Sequence, residues 1–210
     1  MPFVFKRLAL LLSIAVALAP DKAPAADKDH PKFEIAPASS YPAHQTGDKV
    51  TIGASVFDTA DKARTAFGKL NPYQYGIVPI LVVIQNDSDQ TLRLDHMKVD
   101  YVASDGGHVD ATPAGDVKYL NGPNKPNVIT GPIPTRGPHV SRHKNPLNAW
   151  EIEGRAFSAK VIPPAQSAGG FFYFQSGHSP GARLYITGIT QASTGRELLY
   201  FEFPLKEDPK

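Results

Sequence analysis

Between positions 49 and 57 apolar and polar residues alternate: Val50, Ile52, Ala54 and Val56 share one face of an extended chain, and Thr51, Gly53, Ser55 and Phe57 share the other. Period-two patterning of this length predicts a half-buried strand. The stretch 77–84 holds three Ile and three Val and has no polar face, so it predicts a strand buried on both sides. Pro79 has no N–H to donate, which places it where the ladder begins or at a sheet edge. Asn86-Asp87-Ser88-Asp89 supplies the next turn, because short Asx and Ser side chains bond their own backbone. Beyond it Leu92 and Leu94 share one phase, and Met97, Val99 and Tyr101 the other. A β-bulge near Asp95-His96 would produce that slip. Ser104-Asp105-Gly106-Gly107 then turns the chain into a short return strand over 108–110.

The last third is patterned as β throughout. Lys160-Val161-Ile162 leads to Pro163-Pro164, and Gly169-Gly170 opens the aromatic run Phe171-Phe172-Tyr173-Phe174. Segments 182–189 and 197–205 are two further strands, joined by a tight hairpin at Ser193-Thr194-Gly195-Arg196. Helical signals are few. The segment 60–67 is rich in Ala, Lys and Arg, follows Thr59 as an N-cap and stops at Gly68, which predicts one or two turns. A second helix is expected to begin at 147–157, with Asn145 as cap and Pro146 at its first position, although Gly154 costs it stability.

Two segments lack periodicity. Residues 26–47 form an N-terminal arm punctuated by Pro31, Pro37 and Pro42, with Phe33-Glu34-Ile35 as its short edge strand. The excursion 111–146 holds seven Pro and four Gly and no run suited to a central strand. Loops of this length are commonly functional. About seven strands with frequent turns predict a mainly β domain over 48–206, an antiparallel β-sandwich with one or two short helices, followed by a tail at 207–210. The segments GIVPILVVIQNDSDQTLRLDHMKVDYVASDGG at 76–107, IPPAQSAGGFFYF and RLYITGI with TGRELLYFEFPL resemble exported bacterial domains of immunoglobulin-like fold from an uncharacterised family. That resemblance implies an immunoglobulin-like sandwich and brings no shared catalytic residues. The excursion departs from its compact pattern.

The N-terminus changes the picture of charge. Lys6 and Arg7 precede an apolar run over 8–19, and Ala23-Pro24-Ala25-Ala26 follows, the layout of a secretory signal peptide cut after Ala25. The run ends at Pro20-Asp21, too short for a membrane span. The 210-residue chain has a formal charge of +2, but cleavage removes Lys6, Arg7 and Lys22 with Asp21 and leaves a neutral mature chain. Nothing in that balance attracts nucleic acid. There is no Cys, which excludes disulfides, thiolate nucleophiles, Cys-zinc and iron–sulfur centres, and a lipidated Cys. The expectation is therefore a soluble periplasmic or extracellular protein that is not a lipoprotein.

Candidate chemistry is sparse. Gly177-His178-Ser179-Pro180-Gly181 matches the nucleophile-elbow pattern G-x-S-x-G, yet Pro180 follows the Ser and has no N–H for an oxyanion, so the segment is read as a Pro-Gly hairpin turn. His139 and His143 stand four apart among Arg136, Arg142 and Lys144, and with His108 and His178 they are the candidate metal ligands. The same segment, Arg136, His139, Arg142, His143 and Lys144, is the candidate partner-binding patch. Asn86-Asp87-Ser88 is formally an N-glycosylation acceptor but reads as a turn. Phe171 and Tyr173 oppose Phe172 and Phe174, so one pair is core and the other is covered or forms a binding stripe, with coverage favoured. Trp150 is expected to anchor the segment that closes the excursion. Glu151 and Glu153 show no partner that would make them an acid/base pair. No catalytic residue and no cofactor motif is assigned. The sequence points to an exported, non-enzymatic domain that binds or assembles with a cell-envelope protein or polymer through its loops. The alternative is a His-rich periplasmic copper- or zinc-binding protein.

Overall fold

A computed structural model describes residues 33–120, 145–198 and 200–205. The described chain runs β1 (Ala43–Gly47), β2 (Val50–Val56), α1 (Ala60–Phe67), β3 (Val78–Asn86), β4 (Leu92–Arg93), β5 (Lys98–Val102), β6 (His108–Asp110), α2 (Trp150–Gly154), β7 (Val161–Ile162), β8 (Gln166–Phe174), β9 (Arg183–Thr187), β10 (Thr190–Gln191) and β11 (Phe201–Pro204). It is mainly β, in three antiparallel sheets ordered β1-β2-β3-β8, β11-β9-β5-β6 and β10-β4-β7.

β3 lies inside the first sheet, and Ile77 to Ile84 are buried along it. Its even-numbered residues Ile80, Val82 and Ile84 join a core with Val99 and Tyr101 of β5, Leu184 and Ile186 of β9, and Phe201 and Phe203 of β11. Its odd-numbered residues Leu81 and Val83 join a second core with Phe57, Ala63, Ala66 and Phe67 around α1, Val117, Leu147 and Ile152. Each such Val, Leu or Ile contributes about 1.5–3 kcal/mol by leaving water. The first sheet is thus covered twice, by the second sheet on one face and by a cap of short helical elements on the other. Pro79 is the second residue of β3, opposite Tyr173, near where the ladder starts. α1 follows the expected bounds, with the Thr59 hydroxyl accepting from the Lys62 N–H at 3.3 Å.

Several expectations are corrected. The arm's edge strand is β1, not Phe33-Glu34-Ile35, and it enters β2 through Asp48 and Lys49, both at positive φ as a two-residue primed turn demands. The phase change near Asp95-His96 is no bulge: β4 pairs in the small sheet and β5 in the second four-stranded sheet, with a turn between them. Asn145 does not cap the second helix. Its side chain accepts from the Leu147 N–H at 3.0 Å in a separate turn, and α2 starts only at Trp150. Gly169 and Gly170 do open the aromatic run, inside β8, and the Phe157 backbone crosses there so closely that a Cβ on Gly170 would sit 2.5 Å from the Phe157 nitrogen. Pro180 and Gly181 form a turn closed by the Ala182 N–H on the Ser179 carbonyl, but it carries the chain between sheets and makes no hairpin. The hairpin at 193–196 is present, and one register continues from Thr190↔Glu197 to Pro204↔Arg183.

Asn86 ends β3 fully buried, so its amide is no glycan acceptor. The amide donates to the carbonyls of Gln90 (2.8 Å), Ile162 (3.1 Å) and Pro163 (3.1 Å). Its Oδ1 accepts from the Ser88 hydroxyl at 2.6 Å and the Ser88 N–H at 3.1 Å. One side chain therefore ties the end of β3 to the chain after β7. Asn86→Ala strands these buried groups and is expected to lower stability by about 1–3 kcal/mol. Asn86→Asp keeps the size but sets a carboxylate against three carbonyls, and at neutral pH it should cost at least as much. Chemical denaturation checks both, and unchanged midpoints would contradict this role.

Candidate functional site

The outer edge of β8 is occupied by the start of the excursion and by the residues that follow α2. The Thr112 N–H donates to the Tyr173 carbonyl at 2.7 Å, the Phe157 N–H to Phe171 O at 3.0 Å, and the Phe171 N–H to Arg155 O at 2.9 Å. Between these anchors, residues Ala114–Tyr119 make a 3-10 turn that buries Val117. The Asn145 side chain donates to the Lys118 carbonyl, Lys118 Nζ lies 3.4 Å from Glu153, and the Tyr173 hydroxyl donates to Ile152 O at 2.8 Å. Burial raises the Tyr173 pKa well above the ordinary phenol value. The excursion thus starts and returns at one place on the cap, above Phe171 and Tyr173.

Beside that root lies a groove of about 420 Å³ lined by Phe33, Ile35, Trp150, Arg155, Ser158 and Phe171 among others. Trp150 is 52% exposed rather than a buried anchor. Its ring lies over Gly154, one turn on, where a Cβ would come within 2.8 Å of Cε3. The helix-weakening glycine thus leaves room for the Cε3–Cζ3 edge of the indole against α2. The Arg155 guanidinium is 5.2 Å from the Phe33 ring centroid and 5.9 Å from that of Trp150. These are cation–π distances. Burial lowers the Arg155 pKa, and the Glu151 carboxylate opposes that shift. Trp150 and Gly154 at helical i,i+4 spacing were a legible signal for this platform, whereas Phe33 comes from across the fold and left none.

The aromatic run of β8 is covered on both faces. Phe171 packs at 4.8 Å from both Phe57 and Phe67, while Phe172 stacks on Phe157 at 5.2 Å. The cover of Phe171 and Tyr173 comes from α1, α2 and the arm, and that of Phe172 and Phe174 from Phe157 and from Tyr101 of β5 in the second sheet. A second groove of about 570 Å³ lies between this edge and the second sheet, lined by Met97, Asp100, Asp110, Thr112, Phe157 and Phe172 among others.

Of the candidate metal ligands, His108 is exposed on β6, and His178 Nδ1 lies 3.2 Å from the Tyr101 hydroxyl. The Ser179 N–H donates to the same hydroxyl at 2.9 Å, so His178 and Ser179 both turn toward the buried Tyr101. Arg136, His139, Arg142, His143 and Lys144 lie outside the described residues. Among the described residues no group of three or more His, Cys, Asp or Glu could hold a metal ion, and no helix is long and apolar enough to cross a membrane. Glu151 and Glu153 lie on α2, with Glu153 paired to Lys118.

Asp100 and Asp110 stand directly opposite on the β5–β6 ladder, both five residues from the Asp105 pivot of the hairpin. Burial and the Asp110 charge raise the Asp100 pKa above its ordinary 3.8, against the pull of His108 and Lys98. The folded state therefore binds the proton more tightly than the unfolded chain, so this pair's contribution to stability grows as pH falls toward 3.8 and is lost as pH rises through the raised value. Asp110→Asn should stabilise the protein at neutral pH, lower the Asp100 pKa and flatten that part of the pH dependence. Carboxyl NMR titration and denaturation across acidic pH check it, and an unshifted Asp100 titration would contradict it.

No family model matches the chain, and no curated protein sequence matches it. Among solved structures it is similar to the lipoprotein candidate ycdA of Bacillus subtilis, at 12% identity and a TM-score of 0.38 over 79% of this chain, and it spans 39% of that protein's length. It is also similar to a functionally unknown protein of Listeria monocytogenes, at 11% identity and a TM-score of 0.36, covering 78% of this chain and 81% of that one. Likeness at this level assigns neither a fold family nor a function.

Proposed function

We propose that this protein is an exported, non-enzymatic domain of immunoglobulin-like sandwich architecture that binds a component of the cell envelope through the surface at the root of its excursion. The observation that carries the reading is the Trp150 platform: a large aromatic side chain, 52% exposed, seated on a glycine beside a groove. Exposed aromatics held rigidly in a concave site are a recurrent feature of binding surfaces. The signal-type N-terminus supports export, and the neutral mature charge supports recognition by shape and local contacts. The basic segment of Arg136, His139, Arg142, His143 and Lys144 is a second candidate contact for a protein or polymer partner. The domain acts after cleavage as a soluble protein without a lipid tether.

Expression of the full precursor in a bacterial host should yield a protein outside the cytoplasm whose first residue is Ala26, read by N-terminal sequencing. Retention of the uncut precursor in the cytoplasm would contradict export. For binding, the immobilised mature domain is offered insoluble wall polymer and detergent-solubilised envelope proteins in separate assays. Trp150→Ala should abolish retention in one of them with an unchanged thermal midpoint, and retention unaffected by that change would contradict this surface.

A further inference from the structure

We propose that the groove between β8 and the second sheet takes a long basic side chain, Arg or Lys, of a protein partner, with its aliphatic stem along the apolar lining and its charged head between Asp100 and Asp110. This groove is not the Trp150 surface, and the inference stands without that reading. The groove opens where the chain after β6 leaves β5: Asp110 still pairs with Asp100, whereas Thr112, two residues on, bridges to Tyr173 of β8. Between the two sheets the lining is apolar along Met97, Ala111, Phe157 and Phe172, all partly buried, and Asp100 and Asp110 belong to the same lining. The volume of about 570 Å³ lies within the range of ligand sites.

The carboxylate pair selects the charge of the ligand. The Ala103 N–H donates to the Gly107 carbonyl at 2.8 Å, and alternation from that pair makes Asp100↔Asp110 a non-hydrogen-bonded pair, the kind whose side chains stand closest. Like charges so placed destabilise a ladder. Burial and the Asp110 charge both disfavour an ionised Asp100, while Lys98 and His108 pull the other way. Yet among the described residues no cation forms an ion pair with Asp100 or Asp110. Lys98 is the one basic residue of the lining, so with both carboxylates ionised the groove holds an excess of negative charge. A cation set between the two offsets their repulsion, and a pair that costs stability in the free protein becomes favourable in the complex. The apolar lining decides which cation. A hard divalent ion takes several oxygen ligands, and among the described residues no group of three metal-binding side chains exists. An Arg or Lys side chain instead lays its methylene stem on apolar surface and keeps its head among acceptors, which matches both parts of the groove.

The mature protein is titrated by calorimetry and amide NMR with blocked Gly/Leu heptapeptides whose central residue is Arg, Lys or the neutral citrulline, and separately with spermidine. The Arg or the Lys peptide should bind saturably, shift the amides of Asp100, Asp110, Phe157 and Phe172, and bind more weakly as salt is added. Replacing the basic residue by citrulline, or Asp110 by Asn, should each weaken binding by about tenfold or more. Asp110→Asn also relieves the repulsion, so its loss of binding should come with an unchanged or raised thermal midpoint, which a damaged fold cannot produce. Bound peptide should lower the Asp100 pKa, because a nearby cation favours the carboxylate. Trp150→Ala should leave this affinity unchanged, so the groove and the Trp150 surface are tested separately. Binding of neither basic peptide, equal binding of the citrulline peptide, an affinity indifferent to Asp110→Asn, or binding of spermidine alone would overturn the proposal.

Discussion

The structure depends on a strand that has no polar face. β3 buries Ile80, Val82 and Ile84 on one side and Leu81 and Val83 on the other, so a single partner sheet cannot satisfy it. The chain must supply two covers, and its organisation follows from that requirement. The strands β5, β9 and β11 provide one cover, while α1, α2, the 3-10 turn at Ala114–Tyr119 and the arm provide the other. Without Cys, none of this is stapled covalently. Cohesion comes from apolar burial, from the ladders of the sheets, and from a few buried polar ties such as Asn86.

The same requirement builds the candidate site. Phe171 and Tyr173 point away from the first core, and the cap must close over them. To do so the chain brings the start of the excursion and the segment after α2 onto the free edge of β8, through Thr112 on one side and Arg155 to Phe157 on the other. That arrangement protects an edge that would otherwise be open to another strand. It also delivers α2, with Trp150 and Arg155, to the surface beside Phe33. Gly170 admits the crossing backbone of Phe157, and Gly154 admits the edge of the Trp150 indole, so two glycines that weaken their own elements permit the local geometry.

Much of this was legible wherever one residue's environment is set by its near neighbours. The apolar run at 77–84, the Thr59 cap with the Gly68 stop, and the tight turn at 193–196 depend on local periodicity and turn chemistry, and the structure follows them. What the pattern could not convey was which sheet a strand joins. Leu94 and Met97 differ in phase because the chain changes sheets between them, and a bulge would leave the same trace in sequence. Asn86 looked like a turn residue because the carbonyls it binds, on Ile162 and Pro163, are some 76 residues away. The groove was missed for the same reason: Trp150 and Gly154 are neighbours on one helix, but Phe33 and Arg155 meet only after the arm has folded across the cap. The basic cluster at 136–144 lies outside the described residues.

The central claim is that both covers and the groove are built on β3 and form one cooperative unit with it. Native-state hydrogen exchange tests this most directly. The account predicts that the amides of Leu81, Val82 and Val83 and the two that pin the excursion to β8, Thr112 and Phe157, exchange only through global unfolding, with opening free energies equal to the stability measured by denaturant. If Thr112 and Phe157 exchange through a low-energy opening while β3 stays protected, the cap is an independent appendage and the account is wrong.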